Sequence, residues 1–188
     1  MINTYRAPLV AIGEDGTALA NSTTATSILP TFRKPTLDPA FFDQVSKSLY
    51  LRLHGRISTV VTTPGTLTLD VKFGSVVVFS SGAMTLNIVA QTNVNWILDL
   101  ILSSRTLGSG TSGLMFGQGF WESHAVIGSP APTAGGAGKH MLPYNAAPAV
   151  GTGFDMTAAQ QVDVFATWSV ANAANSIQVH GGFIDSVN

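Results

Sequence analysis

GTLTLDVKFGSVVVFSSGAMTLNIVA, residues 65–90, decides the fold class. Leu67, Leu69, Val71 and Phe73 fall on one side of an extended chain, and Thr66, Thr68, Asp70 and Lys72 on the other. This is the period-two alternation of a half-buried strand. Gly74 and then Ser80-Ser81-Gly82 punctuate two more β-rich segments, SVVVF and AMTLNIVA, so the stretch reads as three strands in succession. Only Asp70 and Lys72 carry charge, so the stretch supplies sheet and turns with almost no reactive chemistry.

The pattern continues on both sides. From Ser48, Leu49, Leu51 and Leu53 alternate with Tyr50, Arg52 and His54, and TTPG at 62–65 supplies the following turn. In TNVNWILDLILSS (92–104), Val94, Trp96, Leu98, Leu100 and Leu102 point inward, opposite Asn95, Ile97, Asp99 and Ile101. GLMFGQGFWESHAVIG (113–128) reads as a glycine-broken strand. QQVDVFATWSV (160–170) and NSIQVHGGFIDSV (175–187) read as two closing strands around a turn at 171–174. About eight strands with turns roughly every 8–12 residues, and no helix of three turns, predict an all-β chain. The expected architecture is an antiparallel jelly-roll-like β-sandwich with an extended N-terminal arm.

The arm covers residues 1–40, where Ser/Thr-rich sequence is interrupted by Pro30, Pro35 and Pro39 and no period is sustained. Ser22 to Leu29 is suited to pairing as a strand, and DPAFFDQV to one helical turn with Asp38 as its cap. The sandwich domain covers 41–188 and carries a Pro/Gly/Ala-rich loop at about 128–153, with at most a short strand near Lys139 to Leu142.

Composition bounds the chemistry. Cysteine is absent, which excludes disulfides, thiolate metal sites and cysteine nucleophiles. Charged residues make up 10% of the chain, against about 25% in ordinary soluble proteins. Such a surface is either solubilised by Ser, Thr, Asn and Gln or buried against other subunits. Nine basic residues balance ten acidic ones and never cluster beyond Arg33-Lys34, which argues against a nucleic-acid partner. No apolar run approaches the roughly 18 residues of a membrane-spanning helix, so no membrane partner is expected. The short apolar run near the N-terminus ends at Glu14-Asp15 and does not read as a signal peptide, which implies release into the cytoplasm.

No catalytic, cofactor or metal residues are assigned. His54, His124, His140 and His180 show no ligand spacing. Glu122-Ser123-His124 cannot form a triad along one strand, because neighbours point to opposite faces. Asp70, Asp99 and Asp163 stand on outward faces and read as solubilising groups. TAGGAGKH (133–140) lacks the spacing of a phosphate loop. Trp96, Trp121 and Trp168 could offer a sugar platform, but Trp96 and Trp168 occupy core-facing positions. The chain is therefore expected not to be an enzyme and to need no cofactor.

The unusual feature is apolar residues on faces that should be polar. Val77, Phe79, Ile97, Ile101 and Phe165 are assigned as a candidate subunit interface, the competing reading being cover by the chain's own arm or loop.

NSTTATSILP (21–30), LRLHGRISTVVTTPGTLTLDVKFG (51–74), SGAMTLN (81–87), SPAPTAGGAG (129–138) and VGTGFDMTAAQQVDVFATWSVANAANSIQVH (150–180) occur in order. Together they resemble a family of small tailed-bacteriophage virion proteins. The resemblance implies a non-enzymatic jelly-roll protein of the virion, assembled in the host bacterial cytoplasm and displayed in many symmetric copies. The role it favours is head decoration: a homotrimer whose N-terminal arm clamps the major capsid protein, with Ile2, Tyr5, Leu9, Val10 and Ile12 as contact candidates. The alternative is a tail fibre, baseplate or receptor-binding component that contacts tail proteins. In that role the loop bearing Lys139, His140 and Tyr144 would be the contact surface.

Overall fold

A computed structural model describes residues 5–126 and 138–187. The described residues form thirteen strands. These are β1 (Arg6–Ile12), β2 (Leu19–Ala20), β3 (Thr26–Ser27), β4 (Thr36–Leu37), β5 (Ser48–Thr59), β6 (Thr66–Phe73) and β7 (Val76–Ser80). They continue as β8 (Met84–Thr85), β9 (Gln91–Thr106), β10 (Leu114–Ser123), β11 (Lys139–Leu142), β12 (Gln160–Trp168) and β13 (Ser176–Val187).

The larger sheet runs β1-β13-β5-β9-β10-β11, with β2 also on β13. The smaller runs β3-β12-β6-β7, with β4 on β12 and β8 on β6. Every pairing is antiparallel. The chain crosses repeatedly between sheets: β5 to the β6-β7 hairpin, back to β9-β10, across to β12, and home to β13 between β1 and β5. The result is an antiparallel, jelly-roll-like β-sandwich.

The alternation read from the sequence builds its core. Leu49, Leu51 and Leu53 of β5 and Leu98, Leu100 and Leu102 of β9 are buried in the larger sheet. Leu67, Leu69, Val71 and Phe73 of β6 and Val162, Val164, Ala166 and Trp168 of β12 are buried in the smaller one. Burying each large side chain contributes roughly 1.5–3 kcal/mol, which offsets the entropy of ordering the chain. Phe42, Phe73 and Phe154 close one region of this core with ring centroids 5.0–6.2 Å apart.

Four local expectations are corrected. AMTLNIVA does not form a full third strand: pairing with β6 stops at Thr85, Leu86 makes a single bridge to Val126, and Ile88 and Val89 are exposed. Asn87 is the cause, since its Oδ1 accepts from the Val89 amide (3.0 Å) and its Nδ2 donates to the His124 carbonyl (3.4 Å), turning the chain away. β10 is continuous through its glycines. At Gly117 a Cβ would stand 2.2 Å from Cδ2 of Phe79, so the residue makes room for a ring from the opposite sheet. DPAFFDQV forms no helix; the Phe41 amide bonds to the Asp38 carbonyl (3.0 Å) and Ala40 takes φ of 60°.

The fourth correction concerns the arm. Residues 6–37 do not project from the sandwich but line one side of it. β1 and β2 pair with β13, β3 and β4 with β12, and the Gly16 and Ile28 amides bond to the carbonyls of Val179 and Val164 (2.9 Å each). Ile12, Leu19, Ile28 and Leu29 enter the core. The segment thus closes the open flank between β13 and β12.

Candidate interaction surface

Alternation along β5, β9, β10 and β13 places one residue in two on the outward face of the larger sheet. Antiparallel register then sets these residues in rows. One row is Asp185-Tyr50-Ile101-Gln118, the next is Phe183-Arg52-Asp99-Phe120-Met141, and a third is His54-Ile97-Glu122-Lys139. In the middle lies a shallow groove of about 620 Å³, lined chiefly by Tyr50, Ile101, Phe120, Met141 and Val187, with Arg6, Asp99 and Gln118 at its sides. Ile101 is 50% exposed and Met141 61%.

Ionic groups brace this floor. Asp99 is buried, accepts a hydrogen bond from the Tyr50 hydroxyl and has Arg52 Nε at 3.7 Å. Desolvation, and then the hydrogen bond to Asp99, hold the Tyr50 phenol above the usual tyrosine range. Arg6 donates to Asp185 and lies over the rings of Tyr50 (4.3 Å) and Phe183 (4.7 Å). Lys139 Nζ covers Phe120 at 3.8 Å, and Arg105 covers Phe116 at 4.6 Å. Cations therefore screen the outward rings while Ile101 and Met141 stay open.

The candidate interface residues divide. Ile97 and Ile101 are together on this face. Phe79 does not belong with them: it is 5% exposed and packs inward against β10. Val77 is covered by the chain itself, because residues 143–152 run across β7, with the Thr152 amide on the Val77 carbonyl (3.3 Å). At Gly151 in that cover a Cβ would fall 1.9 Å from the Val78 carbonyl oxygen. Phe165 faces outward on the smaller sheet beneath Lys72 Nζ (3.9 Å). Beside it, Asp163 is buried and held by Lys34 Nζ (2.9 Å) and Ser27 Oγ (2.8 Å).

Of the arm candidates, Ile2 lies outside the described residues, Tyr5 is exposed, and Leu9 and Val10 are half-buried against the core. Ile12 is 4% exposed and serves the core, so it is no partner contact. The edge of β1 is blunted by Pro8, which lacks a donor, and by a register shift at Leu9.

The loop candidates also separate. Most of TAGGAGKH lies outside the described residues. Lys139–Leu142 forms β11, the short strand anticipated there. Lys139 points outward, but His140 and Tyr144 are buried, with their rings edge-on at 5.4 Å, and neither is a surface contact. His140 stands opposite Trp121, which stacks on Trp96 at 4.9 Å. Among the described residues Nδ1 and Nε2 of His140, Oη of Tyr144 and Nε1 of Trp121 have no hydrogen-bond partner. Burial pushes the His140 pKa down to about 4. Trp96, Trp121 and Trp168 are all core residues.

Ser123 is buried and committed to structure, donating to the Asn95 carbonyl (2.9 Å) and accepting from the Ala125 amide (3.2 Å); Glu122 and His124 are exposed. His180 meets Asp15 at 2.6 Å. Among the described residues no three His, Asp or Glu side chains converge as metal ligands.

One surface residue escaped the pattern analysis. Phe32 is 91% exposed at the tip of a turn closed by the Arg33 amide on the Pro30 carbonyl (3.0 Å). Beside it stand Glu14, paired with Arg33 Nε at 2.9 Å, and Asp15. An aromatic next to Pro30-Thr31 in a Pro-punctuated segment was the available signal.

No family model matches the chain, and no curated protein matches it. Three solved structures are similar in part. One is the CBM2 module of the evolved Dit of Lactobacillus casei BL23 phage J-1, at 7% identity over all of this chain and 98% of that one, TM-score 0.40. Another is winged bean acidic lectin complexed with methyl-α-D-galactose, at 9% identity over 99% and 100%, TM-score 0.39. The third is a legume lectin-like domain from Entamoeba histolytica, at 10% identity over 97% and 89%, TM-score 0.28. The sandwich assignment rests on the strand pairing itself.

Proposed function

We propose that this chain is a non-enzymatic structural protein of a tailed-bacteriophage virion that works by surface contact, as a homotrimer decorating the head. The observation that carries the contact role is the outward face of the larger sheet. There Ile97, Ile101, Phe120 and Met141 occupy positions that a sheet facing water fills with polar residues. The virion assignment rests on the sequence segments between Asn21 and His180 that resemble phage virion proteins. A low charge content suits a subunit whose surface is shared with neighbours. Many weak contacts on a symmetric lattice add by avidity, so no single contact need be strong.

The arm as first conceived changes in this reading. Deleting residues 1–20 would remove Ile12 and Leu19 from the core and uncover β13, so that truncation tests folding rather than attachment. Among the described arm candidates Tyr5, exposed just before β1, is the one most open to capsid contact. Electron cryo-microscopy of the intact virion tests the proposal. The expected result is copies at threefold or quasi-threefold positions on the head; density confined to the tail overturns decoration, and a virion without this chain overturns the whole reading.

A further inference from the structure

Resting on that contact role, we propose that Phe32 of one copy docks into the groove on the larger sheet of a second copy, so that copies join front to back. Two features left open among the described residues of one chain are complementary between two. Phe32 projects 91% exposed from a turn tip, the kind of aromatic side chain that anchors an interface when it fills a pocket on a partner. The groove is apolar at its floor, open, and at about 620 Å³ has ample room for a phenyl ring. Ile101 and Met141 are its most open apolar residues, at 50% and 61% exposed.

Charge points the same way. The outward face of the larger sheet holds Arg6, Arg52, Arg56, Arg105 and Lys139 against Asp99, Glu122 and Asp185, a net of +2. The remaining four cations meet seven carboxylates, a net of −3, which with +2 returns the chain's −1. Glu14 and Asp15, with side chains 47% and 63% exposed, stand beside Phe32, while Arg6 lines the groove with its side chain 46% exposed. Glu14 pairs with Arg33, so Glu14, Asp15 and Arg33 give the surround of Phe32 a net of −1, and this aromatic knob meets an apolar groove on a face of net +2. Knob and groove are different patches, so the contact is heterologous, the type that generates closed rings such as trimers.

Sedimentation velocity on the full chain at increasing concentration tests this. Wild type should associate, and less so at 0.5 M salt than at a low ionic strength of about 0.05 M. Phe32→Ala and Ile101→Glu, both at exposed positions, should each weaken association at least tenfold while circular dichroism and melting stay close to wild type. Mixing the two variants decides the geometry, because Phe32→Ala retains its groove and Ile101→Glu its knob. The mixture should form one-to-one dimers that neither variant forms alone. A monomeric wild type, unaffected variants, or a mixture that stays monomeric overturns the contact. Virions carrying symmetric copies with Phe32 in solvent would overturn it too, while leaving the virion role standing.

Discussion

Acidification from pH 7 to pH 5 should destabilise this protein through His140. The imidazole is 4% exposed, stands opposite Trp121 and edge-on to Tyr144, and has no hydrogen-bond partner on either nitrogen. Glu122 and Lys139, the nearest charged residues on β10 and β11, point to the opposite face of the sheet. Burial lowers the folded-state pKa from 6.5 to about 4, so below pH 6.5 the unfolded chain binds a proton that the folded chain refuses. Stability is therefore fully present above pH 6.5 and falls as the pH drops toward 4. The linkage relation gives a loss of about 2 kcal/mol at pH 5, rising to about 3 kcal/mol near pH 4. Urea unfolding followed by the fluorescence of the three buried tryptophans at pH 7 and pH 5, on wild type and His140→Leu, isolates the effect. The two proteins differ only at position 140, so wild type should lose about 2 kcal/mol more than the variant between these pH values. At pH 7 the variant should be at least as stable, since Leu removes two buried polar atoms that have no partners. Equal losses in the two proteins, or an NMR titration placing His140 near 6.5, would refute the reasoning.

Three further substitutions probe the packing. Gly117→Val should lower stability by about 1–3 kcal/mol in the same urea assay, because a branched side chain must displace Phe79 and Leu102 from a filled core. Phe79→Ala should cost about 3–5 kcal/mol as a cavity between the sheets, and self-association measured on the folded fraction should be unchanged. Asn175 is fully buried, accepts from the Val60 amide (2.9 Å) and donates to the Pro64 carbonyl (3.1 Å). Asn175→Ala should cost about 1–3 kcal/mol by leaving those buried backbone groups unpaired, seen as a lowered melting temperature.

Period-two patterning made the central strands legible, because a half-buried strand writes its inside and outside directly into the sequence. β5, β6, β9, β12 and β13 follow it, and the inward positions of Trp96 and Trp168 follow with them. What was not legible depended on contacts between distant residues. Nothing local in ALANSTTATSILP says that it will line β13 and then β12, since its backbone partners lie more than a hundred residues away. Whether VVVF is covered by its own chain or by a partner was not legible, because the segment that runs across it, residues 143–152, shows no period of its own. Phe79 looked like an interface residue because the space it fills is created by the absence of a side chain at Gly117. On the candidate surface Ile97 and Ile101 were legible as breaks in alternation, whereas Phe120 and Met141 became their neighbours only through register.

The scarcity of charge gains a physical sense from where the few charges stand. Arg6, Lys72, Arg105 and Lys139 each lie within 5 Å of the centre of an outward ring, so four of nine cations screen Tyr50, Phe116, Phe120, Phe165 and Phe183 from water. A guanidinium or ammonium over a ring keeps its own hydration on one side and leaves less apolar surface exposed. The larger sheet can then carry aromatic residues on its outward face without an indiscriminately sticky surface. Ile101 and Met141 have no such screen, and Phe32 has none at the other end of the proposed contact. Val45, Val61, Ile88 and Val89 are open elsewhere on the molecule, so what distinguishes the proposed contact is a projecting ring and a groove with room for it, on surroundings of net −1 (Glu14, Asp15, Arg33) and net +2 (the outward face of the larger sheet).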